Sequence, residues 1–247
     1  MQHWVCVATY NERENIESLI ETIDSHLPGC HVIVVDDESP DGTGDLLDAL
    51  AAWNDRLHPI RRPGKMGYAS AHRTAIAQAL ASGADVVFTM DADWSHDPKH
   101  LPELMEAIED GADLALGSRY VPGGGTEGWP WPRRVLSATA NAVARRGLAV
   151  DIRDCTSGLR AYRATLLNNI RFDELSSEGY CFLEEMVMGA SLAGAAFAEV
   201  PITFVERRAG KSKMSRKVIL EAMVVLAKLS WQRRFARESL RRAMLRE

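Results

Sequence analysis

No apolar run in the sequence is long enough to cross a bilayer, and no charged flank followed by a signal-like apolar core stands at its start. Neither a spanning helix nor a secretory leader is expected. The four cysteines, Cys6, Cys30, Cys155 and Cys181, are scattered and form no CxxC pair. Their placement argues against a disulfide framework or a zinc site and fits a reducing cytoplasm. Internal repeats and low-complexity tracts are also missing.

What is present suits a globular α/β protein. The 247 residues are 46% hydrophobic and 26% charged, enough for one large domain or two small ones. The net charge of −5 hides an asymmetry. From Arg207 onward there are 13 Lys plus Arg against 3 acids, and the preceding residues carry 16 basic and 31 acidic side chains. A basic tail on an acidic body suggests an anionic partner for the tail: phosphate, lipid head group or nucleic acid.

Runs rich in β-branched residues at His3–Ala8, His31–Val35, Asp85–Met90 and Asp113–Leu116 read as buried strands. Helix-spaced apolar residues fill Arg13–Leu27, Thr43–Trp53, Ala69–Ala81 and Pro102–Asp110. This alternation predicts a doubly wound, mostly parallel sheet. VPGGGTEGWPWP, after Tyr120, is too rich in Gly and Pro for regular structure and reads as a long loop. Arg133–Leu148 and Phe182–Leu192 follow as helices, Phe197–Val205 as a late strand, Arg208–Lys217 as a basic loop, and Val218–Leu245 as one long helix.

Ligands of open α/β sheets bind outside the carboxyl ends of the strands. Three polar stretches fall there: TYNERENI, DDESPDGT and DADWSH. A single strand-end acid is best read as a helix cap, but three on one edge suggest a pocket. DDESPDGTGDLLD partly imitates a calcium loop, yet Pro40 interrupts it, its last acid is Asp48 and a strand precedes it. VVDDE also resembles the acid pair of a phospho-accepting receiver domain, but there the pair would end the first strand of a chain about half this long. In a nucleotide pocket, Asp37 would accept from a base or ribose, and Gly42 and Thr43 would open the next helix. Asp91 and Asp93 share a side if strand geometry persists one residue past Met90. Two hard oxygen donors so spaced suit Mg²⁺ or Mn²⁺ clamping a diphosphate. The competing reading is a capped turn, with Asp97 as the cap. Arg119, Arg133, Arg134, Arg207, Arg208, Lys211 and Lys213 flank the pocket loops. Singly they are solvated charges; together they suit phosphate contacts.

ATYNERENI, VVDDESPDGT, RPGKMG, DADWSHDP, GSRYVPGGGTEGWPWPRR, DCTSGLRAY, GYCFLEEM and EVPITFVERRAGKSKM, in this order, resemble the polyprenol (dolichol) phosphate mannose synthases, which are family-two glycosyltransferases with the GT-A fold. The resemblance runs from about Val5 to Met214. It implies a GT-A domain over 1–214, a basic helical tail over 215–247, and inverting transfer of mannose from GDP-mannose to a polyprenyl or dolichyl phosphate. Carried over by motif, Ala8, Tyr10, Glu12, Asp37, Asp91, Ala92, Arg207 and Lys213 would contact the nucleotide sugar. Asp91 and Asp93, with Ser95, would hold the metal. Arg119 and Arg133 would receive the acceptor phosphate, and Glu185 occupies an acidic position on a later helix. An acceptor phosphate is already anionic near neutral pH, so no strong base is required. Two alternatives stay open: a UDP-glucose or other nucleotide-sugar donor, and a non-catalytic nucleotide-sugar-binding regulator.

A polyprenyl phosphate stays in the bilayer, so the resemblance also implies peripheral association with the cytoplasmic face of the membrane. The C-terminal helix offers apolar Met223, Leu226 and Leu229, then Arg233, Arg234, Arg237, Arg241 and Arg242 among Trp231, Phe235, Leu240 and Met244. That mixture suits an interfacial helix. Packing of Val218–Leu229 on the core or on a second subunit fits equally well. Nucleic acid is not expected, because nothing in the tail supplies base readout.

Overall fold

The computed structural model describes residues 1–175, 177, 179, 181–206 and 216–246, and side chains outside 216–223. The amino-terminal half alternates β1 (His3–Thr9), α1 (Arg13–His26), β2 (His31–Asp36), α2 (Thr43–Ala51), β3 (Leu57–Arg61), α3 (Tyr68–Ala81), β4 (Val86–Asp91), a short 3₁₀ turn (Pro98–His100) and α4 (Leu101–Glu109). Next come β5 (Leu114–Ser118), β6 (Gly125–Glu127), α5 (Trp131–Leu148), β7 (Arg160–Arg163) and α6 (Ala164–Asn169). The last described elements are α7 (Phe182–Ala193), β8 (Phe197–Pro201), β9 (Thr203–Val205), α8 (Arg216–Phe235) and α9 (Arg237–Met244).

The central sheet has seven strands in the order β3-β2-β1-β4-β7-β5-β8. β7 is antiparallel to both neighbours, and the other pairs are parallel. Both faces are covered, so the inner strands are near-continuous apolar runs. Trp4, Cys6, Ile33, Val35 and Val87 bury one face against the side that holds α3, α5 and α7. Val5, Val7, Val32, Val34 and Phe88 bury the other, toward Leu19 of α1, Leu47 of α2 and Leu104 of α4. The pairs Ala8–Asp91 and Thr9–Asp36 set the carboxyl ends of β1, β2 and β4 level. That shared edge carries the site.

Several expectations needed correction. β3 and β7 were not expected. β3 is a short edge strand that tolerates Pro59, and β7 (RAYR) has polar ends that mask its burial between β4 and β5. The Gly- and Pro-rich stretch is not wholly irregular, because β6 pairs in parallel with β9 as a second, two-stranded sheet. The late strand divides, with Ile202 separating β8 from β9. The long C-terminal helix breaks at Ala236 (φ −139°), and α9 turns back onto the body. Leu226 and Leu229 are buried in the core, which is the packing alternative for Val218–Leu229, and Leu240 and Met244 are buried with them instead of lying at an interface. The end is also held by backbone: Arg171 N–H donates to Met244 O at 2.8 Å and Arg246 N–H to Asn169 O at 2.9 Å. The four cysteines are free and buried. No helix among the described residues is long and apolar enough to cross a membrane.

Candidate active site at the carboxyl edge of the sheet

The loops after β1 and β2 are stitched together by polar side chains. Asn11 N–H donates to Ser39 Oγ (2.9 Å), Glu12 N–H to Thr43 Oγ1 (3.2 Å) and Arg13 N–H to Asp41 Oδ2 (3.1 Å). Ser39 is anchored in turn by the buried Asp36, through its N–H (3.1 Å) and its hydroxyl. α2 opens after Gly42, whose φ of +84° suits glycine. Tyr10 stands at this edge with Lys65 Nζ 3.9 Å above its ring. Asp37 is buried. Its Oδ1 accepts from Arg62 Nε at 2.6 Å, and its Oδ2 accepts from the N–H groups of Met66 (3.0 Å) and Gly67 (3.1 Å). Asp37 therefore shapes the Lys65–Gly67 turn beside the pocket.

β4 ends at Asp91, which is half-buried, and the chain then leaves the strand through Trp94 at φ +62°. The strand runs one residue past Met90, as expected, and Ala92 and Asp93 follow it outside the strand. Asp93 is buried, and its Oδ1 accepts from Ser95 N–H (3.0 Å) and from the Ser95 hydroxyl. Ala92 is buried between the acids. Asp97 does cap the next turn, accepting from Lys99 N–H at 3.0 Å. Gly158 crosses directly over Asp91: a β-carbon there would lie 3.5 Å from Asp91 Oδ1 and only 2.9 Å from Tyr68 Oη.

A row of rings joins the acids to the arginines. His96 meets Phe204 edge-on at 5.2 Å, and Phe204 meets Trp129 at 5.2 Å. The Trp129 ring centroid lies 4.1 Å from Arg133 Cζ and 5.6 Å from Arg119 Cζ. Arg119 is buried and held by Asp154, with Nε to Oδ2 at 2.7 Å and Nη2 to Oδ1 at 2.8 Å. Arg133 is half-buried and pairs with Glu206 Oε1 at 2.5 Å. The two acids and two arginines proposed from the sequence therefore belong to one connected assembly. Arg207 and Lys213 lie outside the described residues, as do Arg208 and Lys211.

The family model for glycosyl transferase family 2 matches residues 4–171. The chain belongs to glycosyl transferase family 2. It is 47% identical to a polyprenol monophosphomannose synthase of Mycolicibacterium smegmatis over 90% of this chain and 84% of that one. It is 42% identical to an undecaprenyl-phosphate mannosyltransferase of Micrococcus luteus, over 88% and 89%. A dolichol-phosphate mannosyltransferase of Pyrococcus furiosus is 39% identical over 88% of this chain, which spans 60% of its length. Among solved structures, glucosyl-3-phosphoglycerate synthase of Mycobacterium tuberculosis with Mn²⁺, UDP-glucose and phosphoglyceric acid superposes with a TM-score of 0.67 at 19% identity, covering 93% of this chain and 79% of that one. That likeness establishes the GT-A architecture.

Within this glycosyltransferase, Glu185 is buried at the start of α7, and its Oε2 accepts from Ser177 N–H at 3.1 Å. Its neighbour Glu184, not singled out from the sequence, is also buried, and burial pushes its carboxyl up to about 7. Arg160 lies fully buried nearby, donating to the carbonyls of Ser157, Leu183 and Cys155 at 2.7, 2.9 and 2.8 Å. His72 is buried beside Tyr68, and desolvation, with Arg160 adding to it, lowers its pKa to about 3. Burial likewise lowers the His96 pKa against the opposing pull of Asp91 and Asp93, and Nδ1 lies 3.3 Å from the Asp91 N–H, which donates to it. Arg62, His96, Trp129, Asp154, Gly158 and Glu184 were all missed as site or support residues. All six stand inside motifs quoted above, Arg62 opening RPGKMG and Asp154 and Gly158 lying in DCTSGLRAY, but the motifs alone did not show which side chains they would hold.

Proposed function

We propose that the protein transfers mannose from GDP-mannose to a polyprenyl phosphate at a membrane surface, with inversion at the anomeric carbon. The observation that carries this reading is the joining of Asp91 and Asp93 to Arg119 and Arg133 through His96, Phe204 and Trp129. This adjacency supports a reading in which a diphosphate-binding site and a phosphate-binding site share one edge. The names of the bacterial relatives support mannose and a polyprenyl phosphate acceptor. An oxygen of the acceptor phosphate attacks the anomeric carbon as the bond to the departing GDP oxygen breaks. The acceptor brings its own negative charge, so no residue needs to remove a proton.

Asp91 and Asp93, with Ser95, would hold Mg²⁺ or Mn²⁺. The donor set fits: two hard carboxylates, with no cluster of three or more His, Cys, Asp or Glu ligands among the described residues. Mg²⁺ sites of this type take one or two carboxylates and complete their shell with water and substrate phosphate. When bound, the ion supplies charge neutralisation to the diphosphate leaving group. Tyr10, Glu12 and Asp37, with the backbone at Ala8 and Ala92, would border the nucleoside, and Arg207 and Lys213 would meet the diphosphate. Arg119, held in place by Asp154, would meet the acceptor phosphate beside Arg133. Arg133 would exchange the half-exposed Glu206 for the acceptor phosphate. Glu185 orders the Ser177 backbone behind the site.

Membrane contact is supported by where apolar surface remains. Of ten exposed large apolar side chains among the described residues, seven lie on α5 and α8: Trp131, Val135, Leu136, Val143, Val224, Trp231 and Phe235. Apolar stripes with flanking arginines suit the head-group region of a cytoplasmic membrane face. The donor is tested by thermal stabilisation with GDP and UDP, each with and without Mn²⁺. GDP is expected to stabilise at least as well as UDP; stabilisation by UDP alone would assign a different donor.

A further inference from the structure

Far from the acid pair, α5 and α8 pack closely where Gly147 meets Ser230: a β-carbon on Gly147 would collide with Ser230 Oγ. There the two helices and the start of α9 border a cleft of about 390 Å³, lined by Arg146, Gly147, Ser230, Arg233, Arg234 and Arg237. Its size lies in the range of small-ligand sites. Four arginines line it and no acidic residue does, and one of them, Arg233, donates from Nη2 to Ala149 O at 3.3 Å. The nearby acids are engaged elsewhere, Asp151 with Arg145 at 3.0 Å and Glu238 with Arg242 at 3.7 Å. No ion pair among the described residues involves any of the four arginines.

Helix dipoles account for only part of this charge. Arg146 and the pair Arg233 and Arg234 lie in the last turns of α5 and α8, where cations are favourable. Arg237 is the first residue of α9, at the end where a cation is unfavourable, and no side chain caps that end. A bound anion would satisfy both. The rim is apolar: Trp231 and Phe235 are 60% and 67% exposed with ring centroids 6.0 Å apart, and Arg234 Cζ lies 5.6 Å from the Phe235 ring.

We propose that this cleft is a second phosphate site, which takes the phosphate of an anionic phospholipid while Trp231 and Phe235 enter the head-group boundary. It rests on the membrane reading above and is separate from the acceptor arginines. Along α5, Arg146 is roughly 20 Å from Arg133 at the α-helical rise. Planar guanidinium groups grip phosphate through paired donors that lysine lacks, so an Arg-to-Lys change keeps charge and removes the grip.

The test is co-sedimentation of the full chain with phosphatidylcholine vesicles, with and without phosphatidylglycerol, for wild type, R146K/R237K and R241K/R242K. Wild type is expected to bind the phosphatidylglycerol vesicles. R146K/R237K is expected to bind them at least about 10-fold more weakly, and R241K/R242K to stay within about 2-fold of wild type. Equal behaviour of the two double variants, or no vesicle binding by wild type, would overturn the site. Titration with inorganic phosphate separates the sources: saturable binding lost in R146K/R237K, with vesicle binding unchanged, would assign a free phosphate and overturn the lipid. Transfer to a short-chain polyprenyl phosphate in detergent should persist in R146K/R237K. Failure of transfer by wild type in that assay would count against the proposed function and not against the cleft.

Discussion

Asp154 grips Arg119 through both carboxylate oxygens, at 2.7 and 2.8 Å, with both residues buried. Burial pushes the Asp154 carboxyl up, but the adjacent guanidinium outweighs it and holds the group below the usual carboxylate range. Asp154→Ala would strand a buried cation, which costs about 3–5 kcal/mol. Urea denaturation should record that loss, and a smaller one for Asp154→Asn, which keeps an acceptor. Unchanged stability in Asp154→Ala would mean that the pair does not hold Arg119.

For the acid pair, Asp93→Ala should lower transfer by at least about 100-fold, on the scale of losing one charge-stabilising contact at a reacting centre. Its circular dichroism should remain that of wild type. EDTA should stop the wild-type enzyme, and Mg²⁺ or Mn²⁺ should restore it. Full activity in EDTA would remove the metal from the account.

Donor and acceptor roles should separate by mutation. Arg133→Ala should lose transfer and raise the KM for polyprenyl phosphate while binding GDP-mannose normally. Arg207→Ala should weaken GDP-mannose binding. Loss of donor binding in Arg133→Ala, with normal acceptor KM, would reverse the assignment.

Two buried groups give stability opposite pH dependences. Burial lowers the His72 pKa to about 3 in the folded chain, from the ordinary imidazole value of 6.5. Between those values the unfolded chain binds the extra proton, so stability falls as pH falls from 6.5 toward 3. Glu184 has a folded pKa of about 7 against 4.5. In that window the folded chain holds the extra proton, so stability falls as pH rises from 4.5 through 7. Each contributes a slope of about 1.4 kcal/mol per pH unit at most. Glu184→Gln should flatten the loss on the alkaline side, and His72→Gln the loss on the acid side, in denaturation curves taken across pH. An unchanged pH profile in either variant would show that the residue is not the titrating group.

The core of the fold was legible because β1, β2 and β4 are buried on both faces and so carry unbroken apolar runs. β7 was not, because Arg160 and Arg163 end it and its burial comes from neighbours distant in sequence. Asp91, Asp93, Arg119 and Arg133 stood out as candidates by residue type and spacing, and the structure brings them to one edge of the sheet. The side chains that hold them in place did not stand out. Asp154 reaches Arg119 across 35 residues, and Arg62 reaches Asp37 across 25. The tail left two readings open, because apolar residues such as Leu226 and Leu229 suit a membrane and a core equally well. The break at Ala236 turns α9 inward, and Leu240 and Met244 are buried with it.

The most direct test of the account is transfer from radiolabelled GDP-mannose to a short-chain polyprenyl phosphate in detergent with Mg²⁺. The account predicts a labelled polyprenyl-phosphate mannose, formed by wild type and lost in Asp93→Ala. A labelled product from UDP-glucose with none from GDP-mannose, or no transfer from any nucleotide sugar to the lipid phosphate, would contradict it.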